Sequence, residues 1–235
     1  MDVEPVDFNG DGNLDLAIAN SKSAGVDLGY GKGAFIPGPD LSTLPQGVPS
    51  AVAVGDFNSD GKLDAVLAIS APSSGIALLP GNGDGTFTPG ADLDFIFFGE
   101  SPSAIVAGDF NGDGVLDIAV TDSAQNDVAI LLGLGSGSEG FDFAAVVPVG
   151  NQPQSIATGD FNDDGNLDLA IANSRDGTVT LLFGADDGTF QPAPRSPYTA
   201  GPAPLAIRAA DFNDDGKLDL AVANFGGGVT VLIQQ

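Results

Sequence analysis

Neither cysteine, histidine nor tryptophan occurs anywhere in the chain, and methionine occurs once. Without cysteine there is no disulfide framework and no thiolate site, and the redox compartment is left open. Without histidine, imidazole-based triads and most transition-metal sites are excluded. Bases are scarce too: 7 Lys and Arg stand against 32 acids, giving a net charge of −25. That surface repels nucleic acid and anionic membrane, so neither is expected as a partner. No apolar run approaches the ~18 residues of a membrane span, so no membrane insertion is expected. The opening MDVEP is acidic where a signal peptide would be basic, and no long apolar segment follows it; the chain reads as a soluble, mature or excised domain. Glutamate is rare as well. Only Glu4, Glu100 and Glu139 occur, so 29 of the acids are Asp. Ordinary surface acidity mixes the two, so these acids are selected for reach or turn geometry.

What is present is a repeat. Nine residues recur as DFNGDGNLD (7–15), DFNSDGKLD (56–64), DFNGDGVLD (109–117), DFNDDGNLD (160–168) and DFNDDGKLD (211–219), with starts 49, 53, 51 and 51 residues apart. Short apolar segments precede each copy (SAVAVG, SAIVAG, QSIATG, LAIRAA) and follow it (LDAVLAIS, LDIAVTD, LDLAIAN, LDLAVAN). A third segment comes next (GIALLPG, DVAILLG, TVTLLFG, VTVLI), and a fourth begins at Phe35, Phe87, Phe141 and Phe190. All are short runs bounded by Gly, Asn, Asp or Pro, which predicts strands. The Asp-Gly pairs of GNGDGTF (81–87) and GADDGTF (184–190) suit tight hairpins. Four antiparallel strands per ~50 residues predict an all-β chain, a single five-bladed β-propeller over 1–235. Its repeats fall at about 1–49, 50–101, 102–152, 153–203 and 204–235. The last blade lacks an obvious outer strand. Either it is three-stranded with residues 229–233 at an edge, or the array is longer, or a second chain supplies the strand. A monomer is expected, with a strand-completing oligomer as the alternative.

The nine residues have the chemistry of a cation loop. Oxygen-bearing side chains fall at positions 1, 3, 5 and 9, glycine at position 6 allows a left-handed turn, and position 7 offers its backbone carbonyl. Such hard, mixed oxygen donors suit Ca²⁺, about one per repeat and up to five in all. The expected ligands are Asp7, Asn9, Asp11, Asn13 and Asp15; Asp56, Asn58, Asp60, Lys62 and Asp64; Asp109, Asn111, Asp113, Val115 and Asp117; Asp160, Asn162, Asp164, Asn166 and Asp168; and Asp211, Asn213, Asp215, Lys217 and Asp219. An EF-hand loop would need Glu at position 12, where this chain has Ile18. Position 2 and position 8, Phe8/Leu14 and their four counterparts, are expected to point into the blade. At a Kd of ~0.1 mM, ~2 mM calcium adds roughly 2 kcal/mol per loop, or on the order of 10 kcal/mol in all. Cytosolic calcium is too dilute for such sites, which argues for an extracellular, periplasmic or cell-surface location.

The repeating unit resembles the FG-GAP/VCBS repeat of integrin α-subunit propellers, some seven-bladed fungal lectins and many bacterial secreted proteins. The resemblance spans nearly the whole chain. It implies calcium bound through positions 1, 3, 5, 9 and the carbonyl of 7, and a role in adhesion or recognition of a glycan or protein ligand. Five repeats stand here where the integrin and lectin members usually have seven.

Other chemistry has thinner support. A glycosidase needs two free carboxylates, but 15 of the 29 Asp belong to the loops, and Asp163 and Asp214 at position 4 are expected to face solvent. No enzyme is expected, and a propeller glycosidase ranks behind a recognition module and a purely structural, possibly engineered, scaffold. Tyr30 and Tyr198 are expected as half-buried strand residues rather than a sugar platform. Arg208, aligned with Ala53, Val106 and Ala157, is expected in a salt bridge between blades. The run FIFF (95–98) is expected to be buried against the next blade, with a partner patch as the alternative.

Overall fold

The computed structural model describes residues 2–20, 23–40, 47–72, 74–88, 96–97, 99–135 and 140–234. They form five antiparallel sheets, each a meander in which chain order is also spatial order. Blade 1 comprises β1 (Asp2–Val6), β2 (Asp15–Ala19), β3 (Ala24–Gly29) and β4 (Phe35–Asp40). Blade 2 comprises β5 (Val48–Gly55), β6 (Asp64–Ser70), β7 (Gly75–Leu79) and β8 (Ile96–Phe97). Blade 3 follows with β9 (Pro102–Gly108), β10 (Asp117–Asp122), β11 (Asp127–Gly133) and β12 (Phe141–Pro148). In blade 4, β13 (Pro153–Gly159), β14 (Asp168–Asn173) and β15 (Thr178–Gly184) are completed by two short pieces, β16 (Phe190–Pro192) and β17 (Tyr198–Thr199), both paired with β15. Blade 5 has three strands, β18 (Pro204–Ala210), β19 (Asp219–Asn224) and β20 (Val229–Leu232). The fold is thus the all-β, five-bladed propeller that the repeat predicts, with the last blade lacking its outer strand. One boundary differs. Phe87 makes only an isolated bridge to Gly81, and the fourth strand of blade 2 pairs later, at Ile96–Phe97. The side chains of the FIFF run lie outside the described residues.

Strand periodicity explains the stacking. Along β6, Ala65, Leu67 and Ile69 pack with blade 1, while Val66 and Ala68 pack with blade 3. A blade between two others buries both faces, so β10 and β14 are buried at every residue. That is why their sequences read as unbroken apolar runs. The β2 strand of blade 1 alternates buried and half-buried residues, as a sheet with one covered face does. Four apolar clusters join the blades in the order 1–2, 2–3, 3–4 and 4–5. Among the described residues no fifth cluster joins blade 5 to blade 1.

Candidate metal centres

Every nine-residue loop links the first strand of a blade to its second. The glycines at position 6, Gly12, Gly61, Gly114, Gly165 and Gly216, all have φ between 84° and 90°. Position 4 is left-handed too, with φ of 59–73° at Gly10, Ser59, Gly112, Asp163 and Asp214. This second requirement explains why only Gly, Ser and Asp occur there. Asp163 and Asp214 are exposed, as expected.

Loop 1 sets the pattern for the donors. Asp7 Oδ2 accepts the Gly12 N–H at 2.8 Å, and its Oδ1 accepts that of Gly10 at 2.8 Å. Asn9 Oδ1 accepts the Asp11 N–H at 2.9 Å, and Asp11 Oδ1 accepts the Asn13 N–H at 2.8 Å. Asp56, Asn58 and Asp60 repeat the arrangement, as do Asp109, Asn111 and Asp113. So do Asp160, Asn162 and Asp164, and Asp211, Asn213 and Asp215. These bonds favour the charged form. The N–H of position 7 is the main reason Asp11 and Asp164 lie below the usual carboxylate range, and the Gly216 N–H the main reason for Asp211.

Position 9 is different. Asp15, Asp64, Asp117, Asp168 and Asp219 are fully buried. In each, one oxygen accepts the N–H of the loop Phe and the other an N–H at the end of the blade's third strand. For Asp168 these are Phe161 and Gly184, both at 2.8 Å. Asp15, Asp64 and Asp117 pair likewise with Phe8 and Gly29, Phe57 and Gly81, and Phe110 and Gly133. Asp219 takes Phe212 and Gln234. Position 9 therefore staples the loop to the third strand. Burial pushes Asp64, Asp117 and Asp168 up, Asp168 to about 6, against the pull of these hydrogen bonds. Repulsion from the loop acids Asp109 and Asp113 adds to the rise for Asp117, and from Asp160 and Asp164 for Asp168.

The third-strand glycines are functional residues that motif spacing overlooked. A Cβ at Gly29, Gly81, Gly133 or Gly184 would lie 1.9–2.3 Å from the carbonyl oxygen of the position-8 Leu. In these four blades only glycine fits against that carbonyl while donating to the buried Asp; in blade 5 Gln234, beyond the end of β20, makes the donation instead. The signal was in the sequence, as the glycine that closes each third segment.

The apolar pair grips neighbouring blades rather than its own. Phe8, Phe57 and Phe110 meet Phe87, Phe141 and Phe190 of the following blade edge to face, with centroids 5.5–5.7 Å apart. Leu116, Leu167 and Leu218 reach back over Gly55, Gly108 and Gly159 of the preceding blade. Two members of the set depart from the expected burial: Leu14 is 62% exposed and Phe212 49% exposed. Both lie outside the four clusters that join the blades among the described residues.

Among the described residues no group of three or more His, Cys, Asp or Glu side chains converges to hold a metal. The loop oxygens are turned onto backbone N–H groups. The donor set nonetheless fits a hard cation: it is all oxygen, and each carboxylate offers about four lone-pair sites, of which the hydrogen bonds use only part.

The first strands line a central cavity of about 590 Å³ containing Asp2, Glu4 and Arg208. Burial raises the Glu4 carboxyl and Asp2 raises it further, while Arg208 pulls it down. The expected salt bridge of Arg208 does not form; its guanidinium donates to the Ile207 carbonyl at 2.8 Å, and Lys62–Asp60 is the one ion pair among the described residues. An exposed Arg keeps its solvation instead. Tyr198 is half-buried and donates to the Pro194 carbonyl, but Tyr30 is exposed, lying just past the end of β3.

The model of the FG-GAP-like repeat matches residues 7–67, 65–120, 109–171 and 160–222. The chain belongs to this family. Among curated protein sequences none matches it. Solved structures share the fold of this FG-GAP-like chain. The BP39L lectin from Burkholderia pseudomallei is 14% identical with a TM-score of 0.70, the match covering 98% of this chain and 65% of that one. An Agrocybe aegerita lectin, described as recognising non-reducing terminal N-acetylglucosamine, is 19% identical with a TM-score of 0.53, covering 99% and 66%. A functionally unknown protein from Desulfotomaculum acetoxidans is 15% identical with a TM-score of 0.64, covering 98% and 68%. The FG-GAP-like chain thus spans about two thirds of the length of each.

Proposed function

We propose that this FG-GAP-like propeller is a non-catalytic, extracellular recognition module that binds a glycan or protein ligand, with calcium holding the turn at the start of each blade. The observation that carries this reading is the fivefold repetition of one oxygen-donor loop, each copy carrying acids at positions 1 and 5 and a fully buried Asp at position 9. Positions 1, 3, 5 and 9 and the carbonyl of 7 would hold the ion, which supplies charge neutralisation and a cross-link between loop and third strand. Its likeness to two lectins supports the recognition role at the level of fold. The channel carboxylates Asp2 and Glu4 stand two residues apart on one strand beside Arg208 and so approach a channel ligand from the same side, whereas glycoside cleavage needs two carboxylates flanking the bond.

The test has two parts. Native mass spectrometry in calcium, then in EDTA, should give close to five ions per chain and lose them on chelation. A folded chain that carries no calcium removes the metal half of the proposal. A glycan and matrix-protein panel, probed in calcium and in EDTA, should give specific retention that calcium supports. A calcium-loaded chain that retains nothing would leave a structural scaffold instead.

A further inference from the structure

Asparagine is followed by glycine at three places in the chain: Asn9-Gly10, Asn82-Gly83 and Asn111-Gly112. Such a pair can cyclise, because a glycine nitrogen is the least hindered backbone nucleophile for the carboxamide beside it. All three glycines are exposed, so access to water does not separate them. The groups placed around the reacting atoms do.

In loop 1 the Gly10 N–H donates to Asp7 Oδ1 at 2.8 Å, so a carboxylate is already in reach of the proton that attack must remove. Asn9 Oδ1 accepts the Asp11 N–H at 2.9 Å, a donor aimed at the oxygen on which charge develops. Loop 3 repeats both contacts. There the Gly112 N–H donates to Asp109 Oδ1 at 2.8 Å and the Asp113 N–H to Asn111 Oδ1 at 3.0 Å. Nothing stands within 4 Å of a Cβ position at Gly10 or Gly112, which leaves room for a ring and for water. The leaving groups differ. Asn111 Nδ2 is tied to Asp113 Oδ2 at 2.9 Å, whereas in loop 1 Asp11 accepts Asn13 Nδ2 instead. Loops 2, 4 and 5 carry Ser59, Asp163 and Asp214 after the Asn, and their position-1 Oδ1 accepts the N–H of position 5 and not that of position 4. Asn82 is held by hydroxyls: Nδ2 donates to Thr86 Oγ1 at 2.9 Å and Oδ1 accepts from Thr88 at 2.8 Å. Among the described residues no carboxylate accepts the Gly83 N–H.

We infer that loops 1 and 3 are self-modifying sites, in which Asn9 and Asn111 are converted to acids with Asp7 and Asp109 as the bases. The Gly10 nitrogen bonds to Asn9 Cγ while Asp7 takes its proton. The Cγ–Nδ2 bond then breaks, and that proton departs with the amine as ammonia. Water opens the resulting cyclic imide at either carbonyl, giving aspartate or isoaspartate, with no oxidant, metal or further reactant. Aspartate sets an acid at position 3 between Asp7 and Asp11, where loops 2, 4 and 5 keep a neutral amide. Isoaspartate lengthens the main chain by one carbon and shifts the loop against its buried anchor, Asp15. Five nearly identical loops thereby divide into two that change with time and three that do not. The step is independent of the proposed metal role.

The test incubates the full chain in mildly alkaline buffer with EDTA, folded and in denaturant. Each Asn is followed by peptide mapping with tandem mass spectrometry, which also tells aspartate from isoaspartate. In the folded chain Asn9 should convert first and Asn111 next, with Asn9 at least about tenfold faster than Asn82. In denaturant the three Asn-Gly pairs should convert at similar rates, since only local sequence remains. Asp7→Asn should slow Asn9 about tenfold and leave Asn111 unchanged, and Asp109→Asn should do the reverse. Each loop is then the folding control for the other. Asn82 converting as fast as Asn9 in the folded chain, an equal lead for Asn9 in denaturant, or a substitution that slows both loops or neither would each overturn the assignment.

Discussion

Replacing Gly133 by alanine isolates the staple between loop and blade. The new Cβ would stand 2.3 Å from the Leu116 carbonyl oxygen, about 1 Å short of an ordinary C···O contact. The end of β11 must retreat, and the bond it gives up is the 2.8 Å hydrogen bond from the Gly133 N–H to Asp117. Asp117 is fully buried, so water cannot replace the lost donor. A hydrogen bond to a charged group contributes about 1.5–3 kcal/mol, and an orphaned buried acceptor adds to the loss, so we expect about 3 kcal/mol. For a chain of this size that is roughly 6–12 °C in Tm. Gly112→Ala is the control. It has φ of +73° with nothing within 4 Å of its Cβ, so only left-handed strain of about 1 kcal/mol applies. Ser59, Asp163 and Asp214 already tolerate that conformation at the same loop position. Both variants are melted by circular dichroism, with and without calcium. Equal melting temperatures for the two would refute the staple, because only Gly133→Ala displaces the third strand from the buried Asp, and the strain at Gly112 is the smaller cost.

Three further outcomes are expected. Asp113→Ala should lower the number of calcium ions in native mass spectra by one while leaving the other loops filled, since distant sites act independently; an unchanged count would remove position 5 from the ligand set. Leu116→Ala should cost about 2 kcal/mol and Leu14→Ala less than about 0.5 kcal/mol by chemical denaturation, because Leu116 packs over Gly55 whereas Leu14 is 62% exposed; equal costs would mean that blade 1 is covered in solution. Arg208→Gln should raise the Glu4 titration midpoint, followed by NMR, because it removes the charge that pulls that carboxyl down. The sign carries to stability. A carboxyl raised in the folded state favours folding at low pH and loses that contribution as pH rises through its folded pKa, so the variant should lose more than the parent on the alkaline side of that midpoint.

The fold was legible because the repeat carried every level of information together: strand alternation, Asp-Gly hairpins and one loop recurring at a nearly constant interval. Blade count and the missing strand of blade 5 followed directly. The loops were legible as donor sets, but not the division of labour within them. Position 9 was read as one of the ligands; the motif did not show that its two oxygens also tie Phe161 to Gly184, and their counterparts elsewhere, deep inside the blade. That contact spans 16 residues along the chain and could not be seen from offsets inside a nine-residue motif. Likewise Phe and Leu were assigned to their own blade, when one reaches forward and the other back.

Identical letters also met different fates, and the reason is topological. Leu14 and Leu116 hold the same motif position, as do Phe212 and Phe57, yet in each pair the first is exposed and the second packed. A repeat encodes what a blade offers to its neighbours, not whether a neighbour is there. Each blade presents a backward Leu and a forward Phe; among the described residues four clusters join the blades, and Leu14 and Phe212 are the members of the set that none of them covers.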